Sequence, residues 1–108
     1  MKEANISPFV ETLGKAPLVK VIDFFLTYPS FDYTKSFVAK EAGISRITIE
    51  KIWKGLIKTG FIIQTRSMGN AEYFQLNRAN PRVKVLMKTA IALSLSRLKP
   101  EQKIPIPA

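Results

Sequence analysis

The chain of 108 residues contains neither cysteine nor histidine. Without cysteine, disulfides, thiolate metal sites and cysteine nucleophiles are excluded. Without histidine, zinc fingers, Ser-His-Asp triads and the commonest catalytic bases go too. Acidic residues are scarce, eight against seventeen Lys and Arg, and none forms an evident pair or metal-ligating cluster. Catalysis is therefore not expected, and no catalytic residue, metal site or cofactor is assigned. No apolar run approaches a membrane span, and Met1-Lys-Glu-Ala-Asn-Ile-Ser-Pro8 lacks a signal-peptide core. The expectation is a soluble, cytoplasmic protein with no membrane partner.

What the chain does have is an apolar fraction of 46% and a formal charge of +9. That length and composition suit one small domain with one core. The charge is unevenly placed. Residues 1–44 balance to zero, residues 45–66 carry +4 and residues 67–99 carry +5. Basic charge thus gathers on two segments, where a polyanion would be met. Plain solubility is the competing explanation, but it does not account for the asymmetry.

Residues 1–12 read as an N-terminal arm, with a helix indicated around Phe9-Val-Glu-Thr-Leu13 and a break at Gly14. Pro17 suits a first helical turn, where its missing N–H is not needed. Leu18, Val21, Ile22, Phe25 and Leu26 recur at the spacing of a buried helical stripe, which Tyr28-Pro29-Ser30 ends. Thr34 caps a second helix with Phe37, Val38 and Ala42 inward, and Gly43 closes it. Ser45 caps a third that runs to Lys58, with Ile49, Ile52, Trp53 and Leu56 on one face and Gly60 as its left-handed exit. Two short strands follow, Phe61 to Arg66 and Ala71 to Leu76, joined by Ser67-Met-Gly-Asn70, with Phe74 and Leu76 toward the core and Tyr73 and Gln75 outward. Asn80-Pro81 opens a last helix reaching about Lys99, and residues 100–108 read as a frayed tail. The fold class is mainly α (α+β): a winged helix-turn-helix over residues 13–78, with a two-stranded wing, followed by a long C-terminal helix over 79–99.

In such a fold the second helix of the helix-turn-helix enters the major groove by its N-terminal end. The residues of the third helix off its core stripe are chemically apt for base reading, with Ser45 and Thr48 near the entry. Arg46 can take guanine O6/N7 in bidentate fashion, Thr48 can bond a base edge or phosphate, and Lys51 suits a phosphate or a base edge. Ile47 can meet a thymine methyl or close the turn against the second helix. Glu50 can accept from cytosine N4 or pair with Lys54 one turn on. Trp53 belongs to the core rather than to a stacking platform. Thr34, Lys35 and Lys54 are expected at phosphates, although Thr34 and Lys35 equally make a plain helix start. Arg66, Ser67 and Asn70 surround the hairpin tip, where a wing reaches backbone or minor groove; an ordinary turn would use the Gly-Asn pair only for positive φ.

The run Gly43-Ile-Ser-Arg-Ile-Thr-Ile49, then Leu56, Gly60-Phe-Ile-Ile63 and Tyr73-Phe-Gln-Leu-Asn77, resembles the winged-helix transcriptional regulators. It is most similar to the short archaeal members related to the multiple-antibiotic-resistance and arsenical-resistance repressor families. Leu13-Gly-Lys-Ala-Pro-Leu18 and Phe31-Asp-Tyr-Thr34 fit the same group, and the similarity spans about residues 13–95. The resemblance implies site-specific binding of double-stranded DNA, usually as a dimer. The arsenical-type cysteine and histidine ligands are missing, so metal sensing is not carried over. No separate ligand domain exists, so an effector pocket would lie between helices; the effector is unassigned.

The last helix carries Val83, Leu86, Met87, Ala90, Ile91, Leu93 and Leu95, an apolar band wider than one-sided packing requires. Burial against the first helix and the arm is one use for it. A homodimer seam is the expected one, because a single recognition helix buries little and binds weakly. The functional expectation is a homodimeric, sequence-specific DNA-binding transcriptional regulator. Two alternatives use the same fold: a protein-interaction adaptor with the last helix as its contact, and a sequence-tolerant chromatin or RNA binder.

Overall fold

The computed structural model describes residues 7–97. In chain order the elements are α1 (Pro8–Leu13), α2 (Pro17–Thr27), β1 (Asp32–Thr34), α3 (Lys35–Ala42), α4 (Arg46–Lys58), β2 (Ile62–Met68), β3 (Ala71–Leu76) and α5 (Pro81–Arg97). The result is an α+β winged-helix fold with a small antiparallel sheet. The expected tail, 100–108, and the last two residues expected in the final helix lie outside the described residues, as does the arm before Ser7.

Four of the five helices start at a side-chain cap, and α2 starts on Pro17 without one. Ser7, Thr34 and Ser45 each turn a side-chain oxygen onto the backbone N–H three residues on, opening α1, α3 and α4. At the other end of α3, Gly43 takes the left-handed conformation (φ 70°) and starts the tight connection to α4. Gly60 (φ 74°) turns the chain from α4 into β2 in the same way. Asn77 and Asn80 complete this corner, since both side-chain amides donate to the Gly60 carbonyl, at 2.9 and 3.0 Å. Asn80 also accepts from the Arg82 N–H at 2.9 Å, so one side chain ends α4 and begins α5.

The sheet order is β1-β3-β2. β2 and β3 form the wing hairpin, Ile62 opposite Leu76 and Met68 opposite Ala71, with a bulge between Gln64 and Arg66. β1 adds a third strand on the far side of β3, Asp32 opposite Gln75 and Thr34 opposite Tyr73. That strand departs from the two-stranded expectation. Tyr73 and Gln75 face away from the core as expected, but they are half-buried rather than open to solvent.

The core joins all layers: Val21 and Phe25 of α2, Val38 of α3, Ile49, Trp53 and Leu56 of α4, Phe61, Ile62, Phe74 and Leu76 around the sheet, and Val83 of α5. Trp53 meets Phe25 at 5.8 Å and Phe74 edge-on at 5.5 Å, so it is a packing residue. Several expectations are corrected here. Phe37 does not point inward; Ala39 takes the buried position beside Val38, and the Phe37 ring lies flat on Tyr33 at 5.5 Å. Leu18 is exposed at the start of α2. The last residues of the supposed arm are helix α1, whose Phe9 and Val10 are buried and which packs on α2 and α5. Val83, expected at a dimer seam, is completely buried within the protomer, and Leu86 and Met87 pack against the same core. The start of α5 runs across that core, which leaves Val83 no outer face and Leu86 and Met87 half-buried.

Candidate nucleic-acid interface

The turn from Gly43 to Ser45 sets the start of α4 at the surface. The Thr48 N–H donates to Ser45 Oγ at 3.2 Å, and Ser45 Oγ donates to Thr48 Oγ1 at 2.9 Å. The two hydroxyls expected near the entry are therefore joined to each other as a cap. Since Ile49, Trp53 and Leu56 face inward, helical periodicity puts Ile47, Lys51, Lys54 and Lys58 along the opposite side. All four are exposed, as is Arg46 at the first turn. Ile47 is 74% exposed, so it does not close the turn. Lys58 was not among the expected contacts, although the i, i+4, i+7, i+11 spacing from Ile47 already pointed to it.

Glu50 sits off that line, toward α3. Its carboxylate meets Lys35 Nζ at 2.8 Å, so its partner is neither Lys54 nor open solvent. Lys35, with Lys54 and Arg46 nearby, holds this carboxyl below its usual range. The pair links the first turn of α3 to α4. A cleft of about 560 Å³ opens there, between the start of α3, the flank of α4 and the hairpin. It brings together Thr34, Lys35, Glu50, Lys54 and Asn70, which the sequence read as separate phosphate, base and wing positions. Arg46, Ile47 and Lys51 stand outside it.

The wing differs most from expectation. Arg66 does not extend from the tip. Its Nε and Nη2 donate to the two Asp32 oxygens at 2.9 and 3.2 Å, and its guanidinium lies 4.2 Å from the centre of the Tyr73 ring. The bulged Thr65 hydroxyl also donates to Asp32. Arg66 and then Thr65 hold the Asp32 carboxyl below the ordinary carboxylate range, and Asp32 raises Arg66 in return. The hairpin is thus strapped to β1 through an acid that sequence reasoning left unused. Ser67 accepts from the Gln64 side-chain amide at 2.9 Å, and Asn70 remains exposed in the Gly69-Asn70 turn.

The expected α5 positions divide. Val83 is core; Leu86, Met87, Ala90 and Leu93 are half-buried; Ile91 and Leu95 are 58% and 57% exposed, and Val85, nearer the start of the helix, is exposed too. No helix among the described residues is long and apolar enough to cross a membrane.

These elements define a winged-helix domain. Among solved structures, the chain is similar to a possible transcriptional regulator from Methanosarcina mazei Go1, with a TM-score of 0.53 and 14% sequence identity. The match covers 78% of this chain and 72% of that one, and at this identity it concerns the fold. No protein-family model matches the chain, and no curated protein does.

Proposed function

We propose that this protein is a sequence-specific double-stranded DNA-binding transcriptional regulator that acts as a homodimer. The observation that carries the reading is the outer face of α4. Four exposed side chains, three of them cationic, follow a capped helix start with Arg46 in its first turn. Arg46 and Ile47 read bases, Lys51 and Lys54 hold the flanking strand, and Ser45 and Thr48 present the helix end. Glu50 and Lys35 act as a pair that steadies the two helices, with Lys35 and Thr34 beside a phosphate. On the wing, Ser67 and Asn70 approach the backbone or minor groove, and Arg66 orients the hairpin. Residues 79–99 supply the dimer seam through Ile91, Leu95 and the adjoining Leu93. Kinship with the multiple-antibiotic-resistance and arsenical-resistance repressors belongs to this proposal and rests on the sequence motifs.

Quantitative duplex binding by Arg46→Ala and Lys51→Ala proteins tests it. Arg46→Ala should lose about 1–3 kcal/mol at its base step and relax selectivity there. Lys51→Ala should weaken all duplexes more evenly. Unchanged affinity and selectivity in both proteins defeats the assignment of α4.

A second reading has its own observation, the exposed Val85, Ile91 and Leu95 on α5. An adaptor would use them to hold another protein. Light scattering separates the two: a monomer that binds no duplex at low salt and captures a protein through α5 is the adaptor.

A further inference from the structure

Aromatic rings gather where the end of α2, β1 and the first turn of α3 meet. Phe24 stands 5.3 Å from Tyr28 and 4.9 Å from Tyr33, and Phe37 lies flat on Tyr33 at 5.5 Å. Phe24 and Tyr33 are half-buried against the core and form the floor. Over that floor Tyr28 and Phe37 are 49% and 44% exposed, and Phe31, in the turn into β1, is 63% exposed. The core does not need them, since Phe25 and Val38 already close α2 and α3 with no exposed surface. A cluster of large apolar side chains left open in this way marks a binding surface.

Charge is the second observation. Lys40 follows Phe37 by one helical turn, and Lys20 precedes Phe24 by one, with its Nζ 3.8 Å from where a Cβ on Gly43 would stand. Among the described residues the ion pairs are Lys35–Glu50 and Arg66–Asp32, so both lysines are free. Asp32, the acid next to Phe31, is held by Arg66 and Thr65, and Asp23 by the Ser7 hydroxyl. Among the described acids, Glu41 alone stays open beside the rings, against the two lysines. Flat rings edged by free cations match a chain of bases and phosphates. Within a duplex the base faces cover one another, so such rings reach them only where the strands are apart. Thr34 Oγ1 accepts from the Phe37 N–H at 3.2 Å, so the rings adjoin the helix start where a phosphate is proposed.

We propose that this aromatic surface binds single-stranded DNA, with unpaired bases stacked on Phe31, Phe37 and Tyr28 and phosphates met by Lys20 and Lys40. The surface stands on its own geometry. Its use beside a duplex held by α4 rests on the regulator reading above. There it favours DNA with an overhanging or opened strand next to the first turn of α3.

Labelled oligothymidylate of about 15 nucleotides is the probe, followed by fluorescence anisotropy with the full chain. An abasic strand of the same length separates stacking from charge. Oligothymidylate should bind saturably, and the abasic strand roughly tenfold or more weaker, the scale of one lost base stack. Phe31→Ala combined with Phe37→Ala should bring oligothymidylate down to the abasic level while lowering the melting temperature little and leaving blunt-duplex affinity unchanged. Phe31→Trp should keep the affinity, and the emission of its added indole should fall as thymine stacks on it. A single-stranded overhang should raise duplex affinity in the wild type and not in the alanine protein. Equal binding of the abasic strand, undiminished binding by the alanine protein, no quenching in Phe31→Trp, or tighter binding of oligouridylate than of oligothymidylate would each overturn the proposal. Capture of an acidic, phenylalanine-containing peptide in place of any single strand would overturn it too, in favour of a protein partner. An overhang that adds nothing in the wild type would overturn the use beside a duplex. Ring-dependent thymidylate binding by a protein that holds no duplex supports the surface and sinks only the regulator reading.

Discussion

Arg66 shows how far a residue's type and position can mislead about its use. As a cation near a hairpin tip it read as a phosphate contact, yet its Nε and Nη2 donate to Asp32, which leaves its charge largely neutralised, and its Nη1 donates to Met68 Sδ. The salt dependence of duplex binding should reveal this. Each phosphate-contacting cation contributes about 0.9 to the slope of log K against log salt. Lys54→Gln should lower that slope by about this amount, and Arg66→Gln by far less. Equal changes for the two would return Arg66 to the phosphates. Titration gives a separate check, with the sign set by each acid's surroundings. Asp32 and Glu50 have lowered values, so their contribution is complete above the ordinary carboxylate range and lost as pH falls through the depressed one. Asp23 runs the other way: burial raises it against the lowering effect of the Ser7 hydroxyl, so it favours the fold at low pH and loses that as pH rises. Carboxyl-detected NMR should find Asp32 titrating below Asp23, and Arg66→Gln should move Asp32 upward. An Asp32 midpoint indifferent to Arg66 would break the strap.

At the scale of elements, the helices were legible because each announces itself chemically. Ser45 and Thr34 cap, Gly43 and Gly60 exit, and the stripe Ile49, Trp53, Leu56 gives the phase of α4. β1 was not legible. Three residues, Asp32-Tyr33-Thr34, carry no alternation to read, and their strand exists only because β3 offers an open edge in register. With β1 unseen, the partners of Arg66 and Gln75 were unseen too: Gln75 donates to the Pro29 carbonyl just before that strand. The α4–α5 corner was half legible. Asn80 read correctly as a helix cap, but its amide also closes the end of α4 on the Thr59 and Gly60 carbonyls. Asn80→Ala therefore removes a cap and a tie at once, and should destabilise by about 1–2 kcal/mol. Asn80→Asp keeps the cap acceptor and loses the amide donor, so it should fall between wild type and alanine. Urea unfolding measures both, and an alanine protein as stable as wild type would mean the corner holds without this side chain.

For the whole molecule, the division within α5 decides what the proposed homodimer can rest on. A buried apolar side chain such as Val83 stabilises the protomer, whereas an exposed one such as Ile91 or Leu95 stabilises only what covers it. Residues could not be assigned to the two groups from the sequence, because the phase of α5 depends on how α1 and α2 pack against it. The proposed seam now predicts opposite outcomes along one helix. Val83→Ala should destabilise the fold by about 1–3 kcal/mol through a cavity, with no direct effect on assembly. The double substitution Ile91→Glu with Leu95→Glu should leave circular dichroism and melting of the protomer near wild type while sedimentation shows a monomer. Duplex affinity should fall along with it, since two recognition helices then no longer bind as one body and each half-site contact is made alone. A doubly substituted protein that keeps the wild-type mass and grips DNA as tightly would move the seam off α5, and a wild-type monomer that binds a single site tightly would remove the need for one.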